Sequence, residues 1–287
     1  MLITLKDMMG IAEKEKIAIG GFNTPNLASL EAVIGAAEEE KLPVILMFAE
    51  CHDEWVSLDL IGPAMLNAAK QATVPVCVHL DHGEHLEYLK KALELGFTGI
   101  MYDGSVLPYE ENVANTKKAV EMAREHGASV EAELGSMGRR ESGANDRSGD
   151  CDETKIYTDP DLAAEFVSAT GIDLLACSFG TTHGIYLKEP KLDLGIVRGV
   201  RKATNDMPVV MHGGSGVSRD DYHAVIQAGV RKINYFTYMD KAGGSGAKKH
   251  LDGLAPDAPQ FYSSVFLAAR DEMKENVRHA IRMFALK

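Results

Sequence analysis

The run V74PVCVHLDHGEH85 decides how the rest of the chain is read. It opens as a near-continuous apolar stretch, as expected of a strand buried on both faces of a parallel sheet. It closes by placing an acid beside an imidazole, Asp81 and His82, with Gly83 after them. Helical spacing follows at Leu86, Leu89, Ala92 and Leu93, and then a second short run, G99IMYDGS105. This is one βα unit with chemistry at the strand tip. Period two puts His79 and Asp81 on one face and His82 on the other. For Asp81 and His82 to meet in one site, the regular strand must stop at about Asp81, with Gly83 helping the chain turn.

Outward from this unit the same alternation recurs. Short apolar runs occupy residues 18–22, 43–49, 74–80, 99–102, 129–134, 173–178, 208–211 and 232–235. Amphipathic stretches fall between them, among them 29–40, 112–126, 159–170, 193–204 and 219–228. A helix is expected over 5–16 at the start and another over 263–286 at the end. Most runs are separated by about 30 residues, the length of one βαβ repeat. The pattern predicts an α/β fold, a (β/α)8 TIM barrel forming a single domain over 1–287. A doubly wound sheet is the alternative, and the even count and spacing favour the barrel. Two stretches break the rhythm. Residues 135–157 are long, polar and glycine-containing, as functional loops often are. Residues 242–250, AGGSGAKKH, read as flexible.

Composition excludes several classes. The apolar fraction of 45% allows a substantial core without staples. A net charge of -12 argues against a nucleic-acid surface, which needs clustered Lys and Arg. It leaves open a small phosphorylated ligand, which needs only a few local donors. The four cysteines show no CxxC spacing, and Cys77 and Cys177 lie in apolar runs, where a reduced thiol acts as a small hydrophobe. With no basic-plus-apolar leader and no apolar run of transmembrane length, a soluble cytoplasmic protein is expected.

The polar residues that end the runs carry the functional reading. Asp81 and His82 end the third, Asp103 the fourth, Glu131 and Glu133 the fifth; His183 follows the sixth and His212 ends the seventh. In a barrel these ends converge on one face. Three histidines there match a catalytic zinc site with one position left open. A lone histidine is more often a surface or hydrogen-bonded group, and His52, His85, His126, His223, His250 and His279 are read that way. His79 is assigned a core or supporting role. Glu131 and Glu133 share a face, so facing does not choose between them. Glu133, nearer the tip, is the better candidate, with Asp103, for an accessory metal position; a buried ion pair or hydrogen-bonded acid fits it as well. The glycine-rich segments H212GGSG216 and G180TTHG184, with Asn234 to Thr237, point to an anion site of the kind barrels build after strands seven and eight.

Together the blocks VPVCVHLDHG (74–83), VEAELGSMGRRE (130–141), GTTHGIYLKEPKLD (180–193), HGGSG (212–216) and KIN..T (232–237) resemble the class II, zinc-dependent ketose-bisphosphate aldolases, the fructose- and tagatose-bisphosphate group. Phe22-Asn23 and D103GS105 also fit. The resemblance implies that His82, His183 and His212 bind catalytic Zn2+, and that Asp81 is the acid/base at the substrate hydroxyl. Asp103 and Glu133 match the positions of a second, buried metal. Gly184, Gly213, Gly214, Ser215, Asn234 and Thr237 match the positions that bind dihydroxyacetone phosphate, with a monovalent cation, Na+ or K+, nearby. Glu141 matches a loop acid linked to proton transfer at the α-carbon of the ketone. The implied reaction cleaves a phosphorylated ketose, a 1-phosphate or 1,6-bisphosphate, through an enediolate stabilised by zinc, in a homo-oligomer of two or four chains.

The departures concern the aldehyde side. Phe236 and Tyr238 stand where the family carries small, acidic or polar residues, Ala49 replaces a frequent Ser, Met47 a frequent polar residue, and Arg139 a small one. They point to an altered aldehyde pocket, or to compensated drift. Two rival readings are a metal-dependent barrel hydrolase and a catalytically silent barrel that binds sugar phosphates.

Overall fold

The computed structural model describes residues 1–135, 157–186 and 189–287. Among these, eight parallel strands close into a barrel in sequence order: β1 (Ile19–Asn23), β2 (Val44–Ala49), β3 (Val76–Gly83), β4 (Gly99–Tyr102), β5 (Ser129–Leu134), β6 (Leu174–Cys177), β7 (Val209–Met211) and β8 (Val230–Asn234), with β8 pairing back onto β1. All eight are buried along their whole length. Their outward side chains, such as Leu46, Val78 and Ile100, pack under the surrounding helices. This burial on both faces is why the strands read as continuous apolar runs.

The helices start where short polar side chains cap them. Thr4 caps α1 (Leu5–Glu15), Asn26 forms a capping box with Ser29 at α2 (Leu27–Glu40), and Asp159, Asp193 and Ser218 cap Pro160–Thr170, Leu194–Ala203 and Arg219–Ala228. Helix α1 serves a different purpose from the others. Its Leu5, Met8, Met9 and Ala12 meet Ile45, Met47, Cys77, Leu174 and Val210 from inside the strands, closing one end of the barrel with apolar packing. The carboxyl ends of the strands form the opposite end, where the polar residues collect.

Two expectations change. The stretch 242–250 is helical throughout, inside a helix Thr237–Asp252. Two of its three glycines serve packing: a Cβ on Gly243 would run into Met273, and one on Gly246 into Glu272 and the backbone of Ala268, all on the long helix Tyr262–Phe284. Strand β3, in turn, does not stop at Asp81. Pairing with β4 shifts register between Leu80 and Gly83 and then resumes. The reversal is made by His82 itself, at φ 43°, a left-handed conformation that costs a non-glycine residue about 1–2 kcal/mol. Gly83 contributes by lacking a side chain, since a Cβ there would lie 2.9 Å from the Met101 carbonyl oxygen.

Candidate active site

The turn at His82 lets consecutive residues face the same cavity. His82, His183 and His212 can each offer one nitrogen such that the three lie within 4.8 Å of one another. His82 Nε2 and His212 Nδ1 stand 2.8 Å apart, and the His183 ring centroid is 5.1 Å from that of His82. His82 and His212 are buried, while His183 is half-buried.

The outer nitrogens explain the orientation. His82 Nδ1 lies 2.7 Å from Asp103 Oδ2, and His212 Nε2 lies 2.8 Å from Glu131 Oε1. If each ring donates its outer N–H to its carboxylate, the inner nitrogens present two lone pairs to each other at 2.8 Å. Such a pair repels unless a cation or a proton lies between. Imidazoles oriented by carboxylates around an open position are the donor set of a zinc-type ion, so the residues present fit that metal. Without a cation a proton takes the place: burial works against a charged His82, but Asp81 and Asp103 outweigh it and push its pKa up to about 10.

A second set, His82, Asp103 and Glu133, also brings one ligand atom each within 4.8 Å. Asp103 Oδ1 accepts hydrogen bonds from the Ser105 amide (3.1 Å) and hydroxyl (2.7 Å), which leaves Oδ2 aimed at His82. Glu131 goes elsewhere. Its Oε2 is 2.7 Å from Lys232 Nζ and 3.5 Å from His79 Nε2, all of them at 0% exposure. Burial pushes the Glu131 pKa up, but the Lys232 charge and the bond to His212 prevail and bring it down to about 2. Thus Glu133 joins the possible accessory position, whereas Glu131 forms the buried ion pair.

Asp81 sits beside the histidines at 2% exposure. Its Oδ2 accepts from Asn23 Nδ2 and its Oδ1 from Asn234 Nδ2, each at 2.9 Å. Burial alone would raise its pKa; the charges of His82, His212 and Lys232 together overcome this and hold it well below the usual carboxylate range. Asn23 fixes this carboxylate, a role that the sequence left unassigned. Lys232 was also unassigned. The available signal was an inward-facing lysine in one apolar run and an inward-facing glutamate in another.

The glycine segments come together around the same cavity. The Tyr186 hydroxyl accepts from the Thr182 amide (2.9 Å) and donates to the Gly213 carbonyl (2.8 Å), tying the segment with His183 and Gly184 to the one after β7. Gly213 has φ 61°, a conformation suited to glycine. The Gly214 amide donates to the Asn234 carbonyl at 3.0 Å. Ser215 Oγ accepts from the amides of Phe236 (3.2 Å) and Tyr238 (3.5 Å). Ser215 thereby holds the first turn of the helix that Thr237 opens, whose own N-cap residue, Phe236, supplies no side-chain cap. Glu141 and Arg139 lie outside the described residues.

Of the histidines read as surface or hydrogen-bonded groups, His85 pairs with Glu50 and His126 with the Met122 carbonyl, as expected. His52 does not fit that class. It is fully buried, neither ring nitrogen has a hydrogen-bond partner among the described residues, and it stacks on Trp55. The sequence showed only a histidine in a polar segment, so this was not foreseeable.

No helix among the described residues is long and apolar enough to cross a membrane. The model of the family "Fructose-bisphosphate aldolase class-II" matches residues 3–287. A fructose-bisphosphate aldolase of Staphylococcus aureus is 38% identical over 99% of this chain and 97% of its own length. One of Staphylococcus epidermidis is 36% identical with the same coverage. The crystal structure of the YdjI aldolase from Escherichia coli K12 superposes with a TM-score of 0.86 at 36% identity, covering 99% of this chain and 97% of that one. The chain therefore belongs to the class II fructose-bisphosphate aldolases, a family of metal-dependent carbon–carbon lyases.

Proposed function

We propose that the protein reversibly cleaves a phosphorylated ketose into dihydroxyacetone phosphate and an aldehyde, with Zn2+ held by His82, His183 and His212. The observation that carries this reading is the facing pair His82 Nε2 and His212 Nδ1, each ring oriented from behind by a carboxylate, with the ionised Asp81 beside them. When bound, the ion supplies a Lewis acid for the negative charge that develops on the ketone oxygen as the carbon–carbon bond breaks. Asp81 takes the proton from the hydroxyl on the carbon that becomes the aldehyde, and returns it in the reverse direction. Asn23 and Asn234 hold its carboxylate in one orientation for that transfer.

The donor half of the substrate is assigned to the loops after β6, β7 and β8. Gly184, Gly213 and Gly214 let backbone approach a phosphate closely, and the Ser215 hydroxyl and the start of the helix at Thr237 offer donors. Asn234 Oδ1 has no hydrogen-bond partner among the described residues and is available to a substrate hydroxyl. Asp103 and Glu133, with His82, form the accessory metal position, and a monovalent cation is assigned to the phosphate loops. The reading carries with it a homo-oligomer of two or four chains, as is usual in the family.

The test is deuterium exchange at the α-carbon of dihydroxyacetone phosphate in the zinc-loaded protein, with and without EDTA. Exchange that EDTA abolishes and His183→Ala removes is the expected result. Absence of exchange in protein whose zinc content has been verified would sink the reading.

A further inference from the structure

A 3-10 turn, Glu50–Glu54, follows β2 and carries His52 to the mouth of the barrel. The turn is braced at both ends. Glu50 Oε2 accepts from the Glu84 amide (2.7 Å) and its Oε1 lies 2.6 Å from His85 Nδ1, just beyond the strand that bears Asp81 and His82. Asp53 Oδ1 accepts from the Leu58 amide (2.9 Å) and the Tyr88 hydroxyl (2.6 Å). On this fixed turn the His52 ring stacks on Trp55, centroids 4.5 Å apart and planes 20° apart. The same imidazole lies 5.0 Å from Phe236, which follows β8, and Phe48 meets it edge-on at 6.1 Å. The result is a continuous aromatic wall from the end of β2 to the end of β8, with Phe236 buried and Trp55 48% exposed to solvent.

The electrostatics of the wall are distinctive. The turn of His52 begins directly after Ala49, the register partner of Asp81, and the Phe236 amide donates to Ser215 Oγ, so the wall borders the site. The charges acting on His52 are those of Asp81 and His82, with no lysine or arginine among the described residues contributing. Burial is the main influence on its imidazole and lowers the pKa to about 4, so it is neutral at neutral pH. Its two nitrogens are buried without partners among the described residues. A buried polar group left this way calls for a ligand or water to complete it. Ala49, which ends β2 in register with Asp81, offers no hydroxyl.

We infer that His52, Trp55 and Phe236 form the subsite for the aldehyde half of the substrate, and that this subsite selects an unphosphorylated polyhydroxy aldehyde over one with a terminal phosphate. The inference deepens the proposed aldolase function and rests on it. The carbon face of such an aldehyde loses water against the exposed side of Trp55, which the buried His52 and Phe236 back from within. A terminal phosphate would give up hydration beside aromatic faces, whose π-clouds are negative, near the Asp81 carboxylate and with no cation from these residues. The substrate is then a ketose 1-phosphate, not the bisphosphate in the names of the relatives.

Trp55 is the single tryptophan of the chain, so its emission reports on this wall alone. In zinc-loaded enzyme, kcat/KM for addition of dihydroxyacetone phosphate is compared between glyceraldehyde and glyceraldehyde 3-phosphate, and each is titrated against Trp55 emission. The expected preference for glyceraldehyde is about tenfold or more, with saturable quenching by it. Phe236→Ala and Trp55→Ala should bring the ratio towards one, while Trp55→Phe, which keeps a stacking face, should preserve it. The ratio is taken on one preparation, so loss of folded protein cancels. A preference for the phosphorylated aldehyde overturns the inference. So does a ratio that neither alanine variant changes, or an unmoved emission with an aldehyde that reacts. Exchange at dihydroxyacetone phosphate alone, run alongside, separates the two readings. Exchange without aldehyde selectivity overturns only the subsite, and no exchange overturns both.

Discussion

His82 Nε2 and His212 Nδ1 face each other at 2.8 Å, although the residues are 130 positions apart and come from strands on opposite sides of the barrel sequence. Asp103 and Glu131 fix both rings from behind, so the shared point between them is built into the fold before any ligand arrives.

Metal binding at that point should be visible as stability. Zinc at about 100 times its Kd adds about 2.7 kcal/mol to the unfolding free energy, which EDTA should remove. His183→Ala should abolish most of this gain while leaving the melting temperature of the metal-free protein nearly unchanged, because His183 is the half-buried member of the three. Calorimetry with and without chelator checks both. An equal gain in the variant would exclude His183 as a ligand.

Asp81→Asn should separate the two halves of the reaction. The amide cannot accept the hydroxyl proton, so ketose cleavage should fall about 10²–10⁴-fold. Exchange at dihydroxyacetone phosphate, which does not use that hydroxyl, should persist within about one order of magnitude. Stopped-flow cleavage and NMR exchange on the same protein measure the split. An equal loss in both assays would place Asp81 at the α-proton instead.

Lys232→Met should be strongly destabilising, because it takes the lysine charge away from Glu131 at 0% exposure and leaves that carboxylate only its bond to His212. Breaking a buried pair in this way costs about 3–5 kcal/mol. The double variant Lys232→Met/Glu131→Gln should recover a large part, since no isolated charge remains. Urea unfolding of the three proteins gives the coupling directly, and additive losses would contradict it.

His79 should contribute acid sensitivity. Burial, its main influence, holds the folded-state pKa down to about 3, against about 6.5 for an unfolded chain. Between those values the unfolded chain binds more protons, so stability present at neutral pH is lost as pH falls below about 6.5. Neither His79 nitrogen has a partner meeting hydrogen-bond criteria among the described residues, so His79→Leu removes that term without orphaning a partner. Urea midpoints measured from pH 7 to pH 4 should fall less steeply in the variant. An unchanged slope would assign the acid sensitivity to other groups.

The sequence alone determined the barrel and the identity of its polar tips. Strands buried on both faces must be largely apolar, so Asp81, His82, Asp103 and His212 stand out at the ends that face a site, while charged groups within the strands, such as Glu131 and Lys232, must pair. That makes both the strand count and the candidate ligands visible as punctuation in eight apolar runs. Helix starts were legible for the same local reason, because Asp159, Asp193 and Ser218 must satisfy free amides within a few residues. What the tertiary structure decided was every relation between distant strands. Period two could not choose between Glu131 and Glu133, since both face inward; the choice came from Lys232 and Asp103 arriving on other strands. Gly243 and Gly246 read as flexible because their reason, the close approach of a second helix, lies outside the local sequence. His52 looked like any polar-loop histidine until Trp55 and Phe236 closed around it. Local composition records what a residue's own segment requires, whereas burial, pairing and selectivity depend on neighbours that only the closed barrel supplies.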